Sequence, residues 1–406
     1  MSNTTDTAPI FMVAPYSPIG SNANPNLGAA KKIAAIISAL SALGRDVVLV
    51  NSAHNETRRS GLRREHMEIS PGLTVEVITP PTYPSRPFGK ALNLLQARSI
   101  ARDLSERGAS LLWIYNGYAF ECRFALEFIE RTHCPLVIEL EDMPFARRRP
   151  GNIKPRLDDH YMRRVLPMAA LVTCVNDFIP GALGLSPEKT LLLPGLVDSD
   201  LIAAGGGKPP FSRPDLVAGY FGNLSAEKGA DLILQLSHKL PANWRLVVTG
   251  SGPLARDFIE AAKSAPAKIK FVPDASYSEV LSNMLSCDAI INPHTPISSM
   301  GNGVFPFKVI EAVATGRLVI STALPECGLD LGASVMFVGH DDAGLAIALT
   351  EAAQFYATRK SRIESVANEA RARFSLRTLG EQVRDRFFRD AASPPPEPGV
   401  STFAPR

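Results

Sequence analysis

The chain has 406 residues, of which 45% are hydrophobic and 20% charged, with a formal net charge of +3. This length exceeds one ordinary core and points to two domains, and the composition is that of a soluble globular protein. The small charge gives no ground for nucleic-acid binding. No run of about 20 apolar residues offers a membrane span, and the polar start at residues 1–9 lacks the apolar stretch of a secretory signal.

The first apolar run, at 10–14 (IFMVA), reads as a buried strand, followed by a Pro/Gly/Asn loop over 15–28 and a helix over 29–43. Further strands are expected at 46–50, 73–78, 111–115, 135–139 and 171–175. Continuous apolar runs alternating with amphipathic stretches indicate a parallel sheet covered on both faces. A small-residue stretch at 205–210 (GGGKPP) precedes a second series of strands, at 217–221, 245–249, 269–272, 289–292, 318–321 and 334–338, with helical sequence over 343–390. The expected organisation is a disordered tail over 1–9, a first α/β domain over 10–199, a linker over 200–213 and a second α/β domain over 214–375. A helix over 376–390, able to return to the first domain, and a disordered tail over 391–406 follow. Two doubly wound domains of this kind hold ligands between them, at the carboxyl ends of their strands. The five cysteines, Cys122, Cys134, Cys174, Cys287 and Cys327, have no metal-ligand spacing and read as reduced thiols of a cytoplasmic protein.

The most informative segment is 304–321 (VFPFKVIEAVATGRLVIS). It reads as a Pro turn, a helix carrying Lys308 and Glu311, a stop at Gly316 and a short strand. Lysine and glutamate three apart lie on one side of a helix. In the first turns, where free N–H groups favour anions, they suit a ligand with a phosphate and a ribose. Two further turns follow strands of the second domain. One is 222–229 (GNLSAEKG), where Gly222 and Asn223 precede Lys228 and a helix; the other is 250–253 (GSGP), where Gly250 lets backbone approach a ligand. Val272 ends a strand, and the polar loop 294–303 begins with His294, read as a structural loop residue. In the first domain the 15–28 loop offers Gly20, Asn24 and Asn26, with Lys31 just beyond it. Strand ends at 115–118 (YNGY) and 139–142 (ELED) point carboxylates at the cleft. Glu141 or Asp142 can orient an acceptor hydroxyl or take its proton, and Asp142 can equally cap a helix. Basic clusters around Arg58, Arg59, Arg63 and Arg64, and around 147–149, read as solvated faces or as contacts for anionic lipid. The single Asp-x-Asp, at Asp198 and Asp200, falls at the crossing between domains and is discounted as a metal site.

The 304–321 segment resembles the Pro-x-Lys-x-x-Glu-x-x-Ala-x-Gly pattern of the group 1 (family 4) glycosyltransferases. The 222–229 and 250–253 turns fall where that family has its pyrophosphate lysine and its Gly-x-Gly-Pro turn. The element 194–198 (PGLVD) is similar to the family's Pro-Asn-Gly-Val-Asp crossing, with Gly195 in place of Asn. The resemblance runs from about residue 10 to about residue 385. It implies a GT-B fold, two Rossmann-like doubly wound parallel-sheet domains facing a central cleft, the first for the acceptor and the second for a nucleoside diphosphate sugar. It implies catalytic roles for Lys228, Lys308 and Glu311; Asp142 joins them as a catalytic candidate on its strand-end position, in a region where the family often has a histidine. Donor contacts would come from Gly20, Gly222, Asn223, Lys228, Gly250, Val272, Asn302, Gly303, Val304, Phe305, Lys308 and Glu311. Asn223 stands where the family has a second cation, and Gly303 where it has a sugar-binding glutamate, so backbone N–H groups of 302–305 or the Asn302 side chain would have to hold the sugar. The implied reaction is transfer of a sugar from a UDP-type donor to an acceptor hydroxyl with retention, without metal or cofactor. A saccharide or a polyprenyl-diphosphate-linked acceptor would place the enzyme in bacterial surface polysaccharide or glycolipid synthesis, at the inner face of the membrane. A sugar-nucleotide epimerase on the same fold, or an inactive nucleotide-sugar-binding protein, are the alternatives.

Overall fold

A computed structural model describes residues 8–17, 27–53, 61–81, 86–147, 153–273 and 275–389. Gly20, Asn24, Asn26, Arg58, Arg59, Arg148 and Arg149 lie outside these residues, as do residues 1–7 of the expected first tail and all of the last one. The first domain runs β1 (Ile10–Ala14), α1 (Leu27–Ser41), β2 (Val47–Asn51), β3 (Arg63–Ser70), β4 (Leu73–Thr79), α2 (Arg86–Ser105), β5 (Leu111–Tyr115), α3 (Ala119–Thr132), β6 (Leu136–Leu140), α4 (Lys154–Val165), β7 (Leu171–Cys174), α5 (Phe178–Leu183) and β8 (Thr190–Leu192). The strands form one eight-stranded sheet, ordered β3-β4-β2-β1-β5-β6-β7-β8, parallel except for the β3–β4 pair. The core strands β1, β2, β5 and β6 are buried at every residue, as a sheet with helices on both faces requires. Strands β3 and β8 have no counterpart in the sequence reading. β3 (RREHMEIS) is an antiparallel edge strand with mostly exposed, charged residues and no apolar run to mark it. Arg63 and Arg64 of the second basic cluster sit on this edge.

The stretch expected as a linker opens with a short helix, α6 (Ser199–Ala204), capped by Asp198, whose carboxylate accepts the Leu201 N–H at 2.9 Å. Helix capping accounts for the first aspartate of the Asp-x-Asp, and Asp200 lies in the first turn of α6. The second domain continues β9 (Leu216–Phe221), α7 (Ala230–Ser237), β10 (Trp244–Thr249), α8 (Ala255–Ser264), β11 (Ile269–Val272), α9 (Tyr277–Ser286), β12 (Ala289–Asn292), α10 (Phe307–Ala314), β13 (Leu318–Ser321), α11 (Leu331–Ser334) and β14 (Val335–Phe337). Its all-parallel sheet is ordered β11-β10-β9-β12-β13-β14, the doubly wound 3-2-1-4-5-6 arrangement, so the order reverses between β9 and β12.

The helical sequence after residue 342 divides in two. α12 (Asp342–Arg373) packs on the second domain and α13 (Leu376–Phe387) on the first. Ser375 caps α13 by accepting the Thr378 N–H at 3.0 Å. Leu379 and Val383 bury fully against the α1 face, and Gly380 fits close to the Ala39 carbonyl. Each such side chain contributes roughly 1.5–3 kcal/mol of burial. The chain thus crosses between domains twice, and the crossings touch: Val197 N–H donates to the Phe374 carbonyl at 2.8 Å, and Val197 bridges Ser375.

Candidate active site

The switch point of the second sheet gathers three loops. Gly222 follows β9, Gly250 follows β10, and Pro293 and His294 follow β12. The loops interlock through backbone. Gly250 has φ +151°, and a Cβ there would lie 1.8 Å from the Gly222 carbonyl oxygen. Gly229 has φ +73°, and a Cβ there would lie 1.8 Å from the Pro293 carbonyl oxygen. Only glycine supports these approaches, which gives the glycines of the 222–229 and 250–253 turns a physical role beyond spacing. Tyr220, fully buried at the end of β9, ties the first turn together: its hydroxyl donates to the Asn223 carbonyl at 2.8 Å and to the Lys228 carbonyl at 3.2 Å. The Asn223 side chain itself is exposed.

Lys308, in the first turn of α10, reaches this floor. Its Nζ would lie 3.6 Å from a Cβ at Gly222, sits 4.4 Å from the Tyr220 ring centroid, and is buried with no hydrogen-bond acceptor among the described residues. Burial, followed by the neighbouring Lys228 charge, pushes its pKa down to about 7. Lys228 is half exposed and contacts Glu227 at 3.0 Å and His294 Nε2 at 3.0 Å. His294 is buried, and its Nδ1 faces the Thr295 carbonyl at 2.7 Å. The carbonyl takes the Nδ1–H, which leaves Nε2 to accept from Lys228. Burial first, then Lys228, pulls the imidazole pKa down to about 4, so the ring is neutral at ordinary pH. His294, read from sequence as a loop residue, thus positions the second lysine. Two ammonium groups converge here, and the deeper one has no counter-ion among the described residues.

Lys308 and Glu311 are not an ion pair among the described contacts. Glu311, buried on α10, instead accepts a hydrogen bond from the Tyr277 hydroxyl of α9. Burial raises its pKa against the opposing influence of Lys31 and of that bond. Lys31, from α1 of the first domain, lies 4.9 Å from the Tyr277 ring centroid. A carboxylate, a tyrosine and a lysine from both domains thus meet beside the two-lysine site. Val272 ends β11 on the far side of β10 from the switch point.

The 302–305 loop is the seam between the domains. Asn302 has φ +54°. Asn176, after β7, donates to the carbonyls of Asn302 at 2.8 Å and Val304 at 3.0 Å, and Met143 N–H donates to the Gly303 carbonyl at 2.9 Å. These carbonyls are committed to the first domain, whereas the N–H groups of Val304 and Phe305 have no protein acceptor among the described residues. Phe305 and Phe307 are buried in the seam. Gly195 admits α10: a Cβ there would lie 2.9 Å from Ile310 Cβ.

Opposite lies the carboxyl end of the first sheet. Asn116, at φ +63°, accepts the N–H groups of Glu141 and Asp142 at 2.8 and 2.9 Å, which holds Asp142 next to the Met143–Gly303 contact. Glu139, by contrast, does not face the cleft. It is buried in an ion pair with the equally buried Lys32, whose Nζ also donates to the Leu193 carbonyl at 3.1 Å. A carboxyl that the sequence did not single out, Glu121 at the start of α3, is buried against the Ser52 hydroxyl, and burial raises its pKa to about 7. Among the described residues no group of three His, Cys, Asp or Glu side chains is placed to hold a metal ion, and no helix is long and apolar enough to cross a membrane.

Residues 215–355 match the sequence model of the family described as Glycosyl transferases group 1. The match falls wholly within the second domain. Among solved structures the whole chain is similar to sucrose-phosphate synthase from Thermosynechococcus elongatus, with TM-score 0.67 and 14% identity over 93% of this chain and 98% of that one. It is similar to Anabaena HepE in complex with UDP, with TM-score 0.64 and 15% identity over 93% and 98%. It is also similar to α,α-trehalose 6-phosphate synthase from Burkholderia multivorans, with TM-score 0.61 and 13% identity over 94% and 98%. These likenesses make the two-domain arrangement a GT-B fold. No curated protein matches the sequence. The matched segment contains Lys228, His294, Lys308, Glu311 and Tyr277.

Proposed function

We propose that the protein is a glycosyltransferase that takes a nucleoside diphosphate sugar on its group 1 domain and transfers the sugar to an acceptor hydroxyl with retention. The observation that carries this reading is the buried Lys308 ammonium, unpartnered among the described residues, beside Lys228 on a glycine-lined floor. Such a pair suits a diphosphate, which would supply the missing negative charge. HepE, of the same fold, is described in complexes with UDP and with UDP-glucose, which supports UDP as the carrier here. Glu311 turns from Tyr277 to accept the ribose hydroxyls. The Val304 and Phe305 N–H groups face the sugar in place of a glutamate at 303, and backbone near Val272 meets the base. As the bond from the anomeric carbon to the diphosphate oxygen breaks, Lys228 and Lys308 take up the charge that develops on that oxygen. The acceptor oxygen bonds to the same face of the carbon, and its proton passes to the departing diphosphate. Asp142 orients the acceptor hydroxyl. With the two lysines meeting the diphosphate charge, the reaction is proposed to run without a metal. A likeness to the lipopolysaccharide outer core galactosyltransferase WaaB, at TM-score 0.58 and 12% identity, supports a role in surface polysaccharide or glycolipid synthesis.

The test is incubation with a panel of nucleotide sugars and saccharide or lipid-linked acceptors. Transfer of the sugar with its anomeric configuration kept supports the reading. Release of an epimer from donor alone, or nucleotide binding without turnover, sinks it. Two results are expected alongside. Glu311→Gln weakens UDP binding by about 10- to 100-fold, the worth of a charged hydrogen bond to the ribose, while leaving pyrophosphate binding unchanged; isothermal titration reads both. UDP binding also takes up protons. Free Lys308 titrates near 7 and the bound ammonium at higher pH, so above 7 the affinity falls by up to about tenfold per pH unit. Titration at pH 8 in buffers of different ionisation enthalpy should show uptake approaching one proton. In the ligand-free protein the sign is the reverse for stability. Between about 7 and the ordinary lysine value of 10.5 the unfolded chain holds the proton and the folded one does not, so this group's contribution to stability rises with pH.

A further inference from the structure

A pocket of about 500 Å³ opens at the other end of the second sheet, away from the cleft. It lies at the start of β13 and is walled by α6, the 207–210 turn, the end of α10 and one face of α12. Its lining carries four cations, Lys208, Arg317, Lys360 and Arg371, against one carboxylate, Glu364. That carboxylate stands 3.8 Å from Lys360 and is exposed. Arg317 is 5% exposed, donates to the Lys208 carbonyl at 2.6 Å, and leaves its buried Nε with no acceptor among the described residues. Gly207 makes room for it, since a Cβ there would lie 2.1 Å from the guanidinium Nη2. Arg371 donates to the Ala314 carbonyl and to Asn368. Burial lowers the pKa of both arginines, a sign that neither guanidinium is fully hydrated. Asp288 and Arg213 are the fixed charges acting on Arg317 from its own domain, and an anion entering the half-dry concavity would meet its open Nε donor and the charge of Arg371. The volume exceeds that of a bare phosphate, and Ile202 and Tyr356 give the walls apolar area.

We propose that this pocket is a second ligand site, separate from the donor cleft, for a small phosphate-bearing molecule. Arg317 and Arg371 hold the phosphate, Lys208 and Lys360 close over it, and the apolar wall takes the body of the ligand. The site lies where the two interdomain crossings meet: Ser199 Oγ of α6 donates to the Arg371 carbonyl at 3.0 Å.

The probe is inorganic pyrophosphate, titrated calorimetrically into the full chain. Because the cleft also attracts diphosphate, the decisive protein is the double variant Lys228→Ala/Lys308→Met, which disables the cleft. It should retain one binding event, and adding Lys208→Glu and Lys360→Glu should weaken that event at least tenfold while thermal melting stays unchanged. Both lysines are half to fully exposed and lie outside the cleft. If the cleft-disabled protein binds no pyrophosphate, or if the two charge reversals leave its binding intact, the pocket is not a ligand site. This outcome does not depend on which sugar, or whether any sugar, is transferred at the cleft.

Discussion

Replacing Lys308 with methionine should lower kcat/KM for donor turnover by about 10²- to 10³-fold, the loss seen when one preorganised group facing a developing charge is removed. The same change should leave the melting temperature unchanged or raise it. Methionine fills nearly the same length, and it removes an ammonium that is buried without an acceptor and repelled by Lys228. Rate and stability therefore move apart, a combination that a structural lysine cannot produce. Steady-state kinetics and a melting curve on one preparation decide the matter. If the activity persists, or if it falls together with a large drop in melting temperature, Lys308 is not the group that meets the leaving diphosphate.

The second large effect concerns backbone. Gly250→Ala should cost about 3 kcal/mol or more, because both its φ and its contact with the Gly222 carbonyl are prohibitive for a side chain. Gly44→Ala is the control. It shares a positive φ, +74°, but nothing lies within 4 Å of the added carbon, so it should cost only about 1 kcal/mol. Urea unfolding of the two variants separates strain from collision. A Gly250→Ala cost no larger than that of Gly44→Ala would mean that the two turns do not approach as described.

Much of this arrangement was legible in the sequence, for physical reasons that differ from place to place. The buried parallel strands are continuous apolar runs, so both sheets could be read from them. β3 escaped because an antiparallel edge strand needs no apolar run, and β8 because three residues carry little pattern. Lys308 and Glu311 were legible because Pro306 and Gly316 bracket a helix whose first two turns must carry them. Their partners were not. Whether Tyr220 lies under Lys308, Tyr277 against Glu311, or His294 beside Lys228 depends on which loops of different strands meet at a switch point. Spacing within one segment is silent on that. Glu139 shows the converse, since its place at a strand end suggested the cleft but a buried lysine from α1 claims it. Asn176 left no mark beyond being polar after a strand, yet it ties the 302–304 loop to the opposite domain.

The path of the chain between domains has a consequence for how the protein is made. The second domain is one uninterrupted stretch from β9 to α12, so all of its core is synthesised before α13. The first domain begins earlier but finishes last, because the α1 face stays bare until Leu379 and Val383 arrive. Domains usually mature in the order of synthesis; here the order is inverted for the final step. A chain cut after Arg373 would carry a complete second domain and a first domain with an open greasy flank, a species prone to self-association during biosynthesis.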